Sequence, residues 1–144
     1  MFNDTLLNNM SLYDNYEQED ISEKIEMLHL NRIKDIIFSN EEYVDSENNI
    51  SGGEKQKINL ARVLLQNKPY LFLDEVAAAY DLESYKAVLQ ALLKNEQLTI
   101  INIEHKVPKE MLDLYDEVIV LKYGEIEEIY RTEQEKLEFA KELN

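Results

Sequence analysis

Ser51, Gly52, Gly53 and Glu54 open a helix-forming run, and their types suit the capture of an anion. Ser51 is a good N-cap, and Glu54 three residues on completes a capping-box pattern. A Ser-Gly-Gly turn at a helix start points backbone N–H groups outward beside the positive end of the helix dipole, and phosphate is the usual guest; on these residues alone a flexible turn before an ordinary capped helix reads equally well. Downstream, the apolar run Tyr70-Leu71-Phe72-Leu73 ends in the paired carboxylates Asp74-Glu75. A second apolar run, Leu98 to Ile103, is followed by His105. A histidine just past a parallel strand lies at the carboxyl edge of the sheet, where α/β folds place their ligands. Taken alone, His105 is a surface histidine; beside a strand ending in Asp-Glu it becomes a candidate for chemistry.

The elements that must position these groups follow from periodicity. Ile58, Ala61, Leu64 and Leu65 recur at helical spacing as far as Asn67, and Pro69 stops the run. Lys55, Lys57 and Arg62 on this helix are expected to form a solvated face, the alternative being that one of them faces nucleotide. Ahead of it, Asp4 or Thr5 can cap a short helix. Glu19–Leu30 predicts an amphipathic helix with Ile21, Ile25 and Leu28 on one face and His29 packed or half-exposed nearby, and Asn31–Phe38 a second short one. Ser39–Asn49 is a polar, acidic loop. Asp81 is a plausible N-cap for a helix over Leu82–Lys94. Pro108–Leu114 reads as a short helix, Glu117–Leu121 as a third strand, Tyr123-Gly124-Glu125 as a turn and Ile126–Tyr130 as an edge strand. The tail, Thr132–Leu143, predicts an amphipathic helix with Leu137, Ala140 and Leu143 inward.

Composition narrows the classes. The 144 residues are 44% hydrophobic and 31% charged, which suits a soluble globular chain with one core. The net charge of −15 argues against a nucleic-acid surface, which needs clustered Lys and Arg. Acid crowds the first fifty residues, where Lys24, Arg32 and Lys34 are the only basic ones. With no cysteine there is neither a disulfide framework nor a thiolate metal site. No apolar run approaches the length of a membrane span, and no internal repeat appears.

The order of these elements resembles the ATP-binding-cassette (ABC) ATPases of the exporter type. Ser51–Glu54 is similar to their signature motif, and Tyr70–Glu75 to their Walker B strand. The resemblance implies that Asp74 serves Mg²⁺, that Glu75 orients or activates the attacking water, and that His105 is the switch histidine that reaches the γ-phosphate. It implies that Ser51, Gly52, Gly53 and Glu54 face ATP. Val76–Asp81 falls where the family has the loop that crosses its dimer interface. Ala78 stands in place of the family's serine and Tyr80 in place of leucine; Asp81 remains, and can serve both that loop and the following helix as cap. Phe2–Asn9 resembles the stretch after the Q-loop, so the chain is expected to begin within a domain. Tyr43–Asn49 lacks the glycine found in the exporters' segment that senses the transmembrane partner.

The three glycines, Gly52, Gly53 and Gly124, belong to no Gly-x-x-x-x-Gly-Lys-Ser/Thr pattern, so the chain carries no P-loop. The expected architecture is therefore α/β, a partial P-loop NTPase fold: a helical signature subdomain (1–68), then the Walker B and His-loop part of a parallel-sheet core without the Walker A strand (69–131), then a C-terminal helix (132–144). The strand at Glu117–Leu121 is expected to lose a neighbour and expose backbone groups. The implied cofactors are ATP and Mg²⁺, available only in a complete dimeric assembly. The implied partners are a second ABC ATPase domain, head to tail, and a transmembrane permease domain, at the cytoplasmic face of the cell membrane.

The resemblance implies the C-terminal part of a transporter's nucleotide-binding domain, coupling ATP binding and hydrolysis to export. Alone, such a chain is not expected to hydrolyse ATP. An alternative is a non-catalytic chain that binds ATP-loaded cassettes in trans. A third is half of an SMC-type ATPase, which should show heptads and a basic surface that residues 1–50 do not. A fourth is a globular chain without nucleotide chemistry.

Overall fold

The computed structural model describes residues 1–39, 50–105 and 107–143. The acidic loop expected over Ser39–Asn49, with its glycine-free Tyr43–Asn49 stretch, therefore lies almost wholly outside the described residues. The first half is helical: α1 (Leu6–Ser11), α2 (Gln18–Met27), a 3-10 turn (Asn31–Ile33) running into α3 (Lys34–Phe38), and α4 (Gly52–Leu65). The second half carries β1 (Tyr70–Asp74), a 3-10 turn (Val76–Ala79), α5 (Leu82–Leu93) and β2 (Thr99–Ile103). A 3-10 segment (Lys109–Leu114), β3 (Val118–Lys122), β4 (Glu125–Tyr130) and α6 (Glu133–Glu142) complete it.

Side chains on the helical ends set their boundaries. Thr5 caps α1 by accepting from the Asn8 N–H at 3.0 Å. α2 stops at Met27, earlier than the expected Leu30. His29 turns left-handed (φ 52°), and the Leu30 N–H reaches back to the Ile25 carbonyl at 2.8 Å, closing the helix end as a glycine usually would. His29 is consequently exposed, not packed. α4 ends at Leu65, short of Asn67, and the expected helix after Pro108 is a 3-10 segment.

The main core lies where α1, α2 and α3 meet α4, and it continues into the sheet. Met10, Ile25, Leu30, Ile37 and Ile58 are fully buried, and Leu71 and Leu73 of β1 with Val88 and Leu92 of α5 join the same cluster. A smaller cluster of Tyr85, Leu89 and Met111 sits under α5, and Tyr80 packs against both.

β1 and β2 pair in parallel, with Phe72 opposite Ile101 and Asp74 opposite Ile103. Leu71 and Leu73 face the core, while Phe72, Ile101 and Ile103 stand on a face left half or more exposed. β3 and β4 form a separate antiparallel hairpin with a bulge at Val120/Leu121. Thus β3 has a hairpin partner, but among the described residues no strand links it to β1 and β2. In α6, Ala140 is buried, but Leu137 is 58% exposed, against expectation. Its neighbour Lys136 takes the inward place, its Nζ donating to the Tyr115 carbonyl at 2.6 Å. A long aliphatic stem can bury itself when its ammonium finds an oxygen.

Candidate functional site

The expected site residues fall into two groups. The first is built at the start of α4. Ser51 takes an extended backbone (φ −67°, ψ 158°), and its Oγ accepts from the Glu54 N–H at 3.2 Å. Glu54 returns the bond: its Oε2 accepts from the Ser51 N–H at 2.9 Å and from the Ser51 hydroxyl at 2.8 Å. Arg32, from the turn after α2, grips the same carboxylate through Nε (2.8 Å) and Nη2 (2.6 Å). The Arg32 guanidinium beside it is the main reason the Glu54 carboxyl is held down to about 2, with the Ser51 bonds adding to it. Arg32 escaped the sequence reading because only the turn between α2 and α3 brings it here, 22 positions from Glu54.

Among the described residues nothing requires a glycine at position 52. Its φ is not positive, and a Cβ built there meets no atom within 4 Å. Neither backbone conformation nor crowding demands glycine at this position.

Ser51, Gly53 and Glu54 open onto a cleft of about 540 Å³ whose other walls are His29, Arg32, Lys57, Tyr80 and Asp81. The cleft corrects the expected solvated face of α4. Lys57 is buried, with its ammonium 5.2 Å from the centre of the Tyr80 ring. Arg62 is half-buried, its Nε donating to the Asn9 carbonyl at 2.7 Å and its guanidinium over the Phe2 ring. Tyr80 is deep enough that burial pushes its hydroxyl up to about 12, and that hydroxyl has no hydrogen-bond partner among the described residues. Asp81 caps α5 by accepting from the Ser84 N–H at 2.9 Å. Its carboxyl is lowered chiefly by Ser84, with a smaller contribution from the Lys57 charge.

The second group lies at the carboxyl edge of β1 and β2. Asp74 ends β1 exposed. Glu75 turns left-handed (φ 49°) while its N–H continues the ladder to the Ile103 carbonyl at 2.9 Å. That turn swings the Glu75 carboxylate to His105, Oε1 to Nε2 at 3.0 Å, with the two side chains 59% and 84% exposed. Behind them, Glu104 accepts from the Ala77 N–H at 2.9 Å and from the Tyr85 hydroxyl at 3.1 Å. Glu104 thereby ties the end of β2 to the turn before Asp81, a role that sequence reasoning passed over. Among the described residues no three His, Cys, Asp or Glu side chains gather around one point that would hold a metal ion. A single carboxylate from Asp74 fits Mg²⁺ only as one ligand among waters and phosphate oxygens, the usual way that ion is held at nucleotides.

A profile of the ABC transporter family matches residues 1–78, more than half of the chain. This chain belongs to the ABC transporter family. It corresponds to the C-terminal part of an exporter-type ATPase domain. It is 35% identical over 133 residues to the ATP-dependent lipid A-core flippase of Pasteurella multocida (strain Pm70), a match covering 89% of this chain and 22% of the flippase. The flippase of the same name from Haemophilus influenzae (strain 86-028NP) is 35% identical over 134 residues, with the same two shares. A solved bacterial Atm1-family ABC exporter with ATP bound superposes on the whole chain with a TM-score of 0.78. There the identity is 23% and the chain spans 25% of the exporter, so that likeness speaks for the fold. This family member spans about a fifth of the length of the curated relatives it matches. No helix among its described residues is long and apolar enough to cross a membrane.

Proposed function

We propose that this ABC family member couples ATP binding and hydrolysis to transmembrane export, working with a P-loop that lies outside these residues. Ser51, Gly52 and Gly53, with Asp81 on the same cleft, form the half-site that closes on ATP held by a second cassette in a head-to-tail dimer. Glu54 contributes by fixing Ser51 through the capping box. Asp74, Glu75 and His105 form the other half-site, completed when a P-loop brings nucleotide to the edge of β1. There Asp74 would hold Mg²⁺, which when bound neutralises phosphate charge. Glu75 orients the attacking water and His105 addresses the terminal phosphate. The flippase relatives favour a lipid as cargo and a permease domain at the cytoplasmic side of the membrane as partner. In this reading the helical part (1–68), the strand part (69–131) and the final helix (132–144) are the working divisions.

The observation that carries the reading is Gly52: a glycine that its own fold does not need, at a helix start open to a cleft. Bare backbone there lets another molecule's phosphate approach the N–H groups. The same observation keeps alive the second reading, a non-catalytic chain that binds ATP-loaded cassettes in trans. Both are tested by association with a hydrolysis-blocked cassette domain, followed by light scattering. Association is expected with ATP and not with ADP, and Ser51→Arg should abolish it by filling the approach. Binding indifferent to nucleotide and to that substitution would remove the trans half-site.

A further inference from the structure

Lys57 is the feature of the cleft that the reading above does not use. It lies one turn into α4 from Gly53, on the face that packs against Tyr80. Only 8% of the residue is exposed. No carboxylate or carbonyl of the described residues lies within hydrogen-bonding or ion-pair distance of its ammonium; the contact it has is with the Tyr80 ring face. Asp81 senses the charge but forms no ion pair with it. A buried cation without an oxygen partner is costly, and a ring face offsets only part of that cost.

The other charges of the cleft are already committed. Arg32 and Glu54 neutralise one another, and the Asp81 carboxylate is engaged as the cap of α5. Lys136 shows how a buried lysine of this chain is otherwise satisfied, by a carbonyl at 2.6 Å. Lys57 has no such oxygen, and it lines the same cleft as Ser51 and Gly53.

We propose that Lys57 is a phosphate-binding residue: its ammonium supplies the formal positive charge that meets the terminal phosphate of a nucleoside triphosphate at the Ser51–Gly53 loop. The proposal rests on the reading of that loop as facing phosphate. The loop's N–H groups and the helix dipole offer partial charges; Lys57 adds a whole one from the wall of the cleft. Tyr80, bulkier than the leucine found at this place in the family, offers its ring face to the ammonium at 5.2 Å from the centroid.

The test uses the full chain and inorganic tripolyphosphate as the probe, followed by NMR at the Gly52 and Gly53 amides and the Lys57 side chain. All three are expected to shift together on titration. Lys57→Met, which keeps the stem and removes the charge, should weaken binding about tenfold or more. Lys57→Arg should restore most of it, which a merely structural lysine has no reason to do. If Lys57→Met disturbs the fold by circular dichroism, Lys57→Gln replaces it. Glycine amides that shift with unchanged affinity in the uncharged variant would overturn the lysine assignment and leave the loop standing. Glycine amides that do not move at saturating tripolyphosphate would overturn both.

Discussion

The start of α4 and the carboxyl edge of β1 and β2 carry the same kind of residues in opposite states of completion. At the start of α4 the capping groups are held by one another, Ser51 by Glu54 and Glu54 by Arg32, and the loop borders a cleft. At the strand edge, among the described residues, Glu75 and His105 pair with each other while largely exposed, and Asp74 stands exposed beside them. The apolar face beneath that edge, with Phe72 70% and Ile103 56% exposed, is equally uncovered. The first site finds its supporting groups within the described residues, Arg32 from the turn after α2 and Tyr80 and Asp81 from the turn after β1. In the proposed reading the second is completed by a phosphate-holding loop; the β3–β4 hairpin forms a sheet of its own and pairs with neither β1 nor β2.

The largest effect that separates the two regions is on hydrolysis. The chain alone is expected to release phosphate from Mg-ATP at background, and Glu75→Gln should change nothing. Joined to a P-loop-bearing N-terminal half, the same substitution should slow turnover by a hundredfold to about ten-thousandfold, the usual worth of a positioned base. ATP-dependent dimer closure should survive it. Turnover by the chain alone that Glu75→Gln abolishes would mean that the strand edge is already a complete site. Equal turnover with and without Glu75 in the completed domain would take that residue out of its role.

Much of this contrast was legible in the sequence, and the exceptions share a cause. The capping box, the strand ending in Asp74-Glu75 and the Asp81 cap are local patterns, so spacing revealed them. Lys57 was expected in solvent as a charged residue of an amphipathic helix, although helical spacing sets it one turn before the buried Leu60 and Ala61. Its burial comes from Tyr80, 23 positions away across the turn after β1. Arg32 reaches Glu54, and Glu104 reaches Ala77, through equally distant chain. Leu137 points outward because the Tyr130–Phe139 ring stack, with centroids 4.7 Å apart, and the Lys136 anchor rotate α6 away from the face its hydropathy suggested. What periodicity conveys is which faces are apolar, not which polar side chain a tertiary neighbour will draw inward.

A mid-sized effect probes how firmly the first region is closed. The Glu54 carboxyl sits at about 2 in the folded chain against an ordinary 4.5. Because the folded value is depressed, the Arg32–Glu54 contact contributes fully above pH 4.5 and is lost as pH falls through about 2. Arg32 is 61% exposed, so solvent screening keeps the contribution modest. Arg32→Gln should therefore lower the denaturant midpoint modestly at pH 7. Wild type and variant should converge as the pH drops from 4.5 toward 2. A difference that stays constant over that window would assign the loss to packing and not to the ion pair.

The smallest effect is the most discriminating, because two explanations of Gly52 give it opposite signs. If the fold requires glycine there, through backbone conformation or crowding, Gly52→Ala must destabilise. The structure shows an ordinary φ and empty space around the missing Cβ. Alanine should then stabilise the chain by about 0.5 kcal/mol, since it loses less backbone freedom on folding and suits the helix better. Denaturant midpoints of the two proteins measure this directly. In the proposed half-site the same methyl group would meet an incoming phosphate, so ATP-dependent association with a partner cassette should weaken even as stability rises. A gain in stability with a loss of association would mean that this glycine is kept for something outside the chain. A loss of stability would return it to the fold and take away the observation on which the half-site in trans depends.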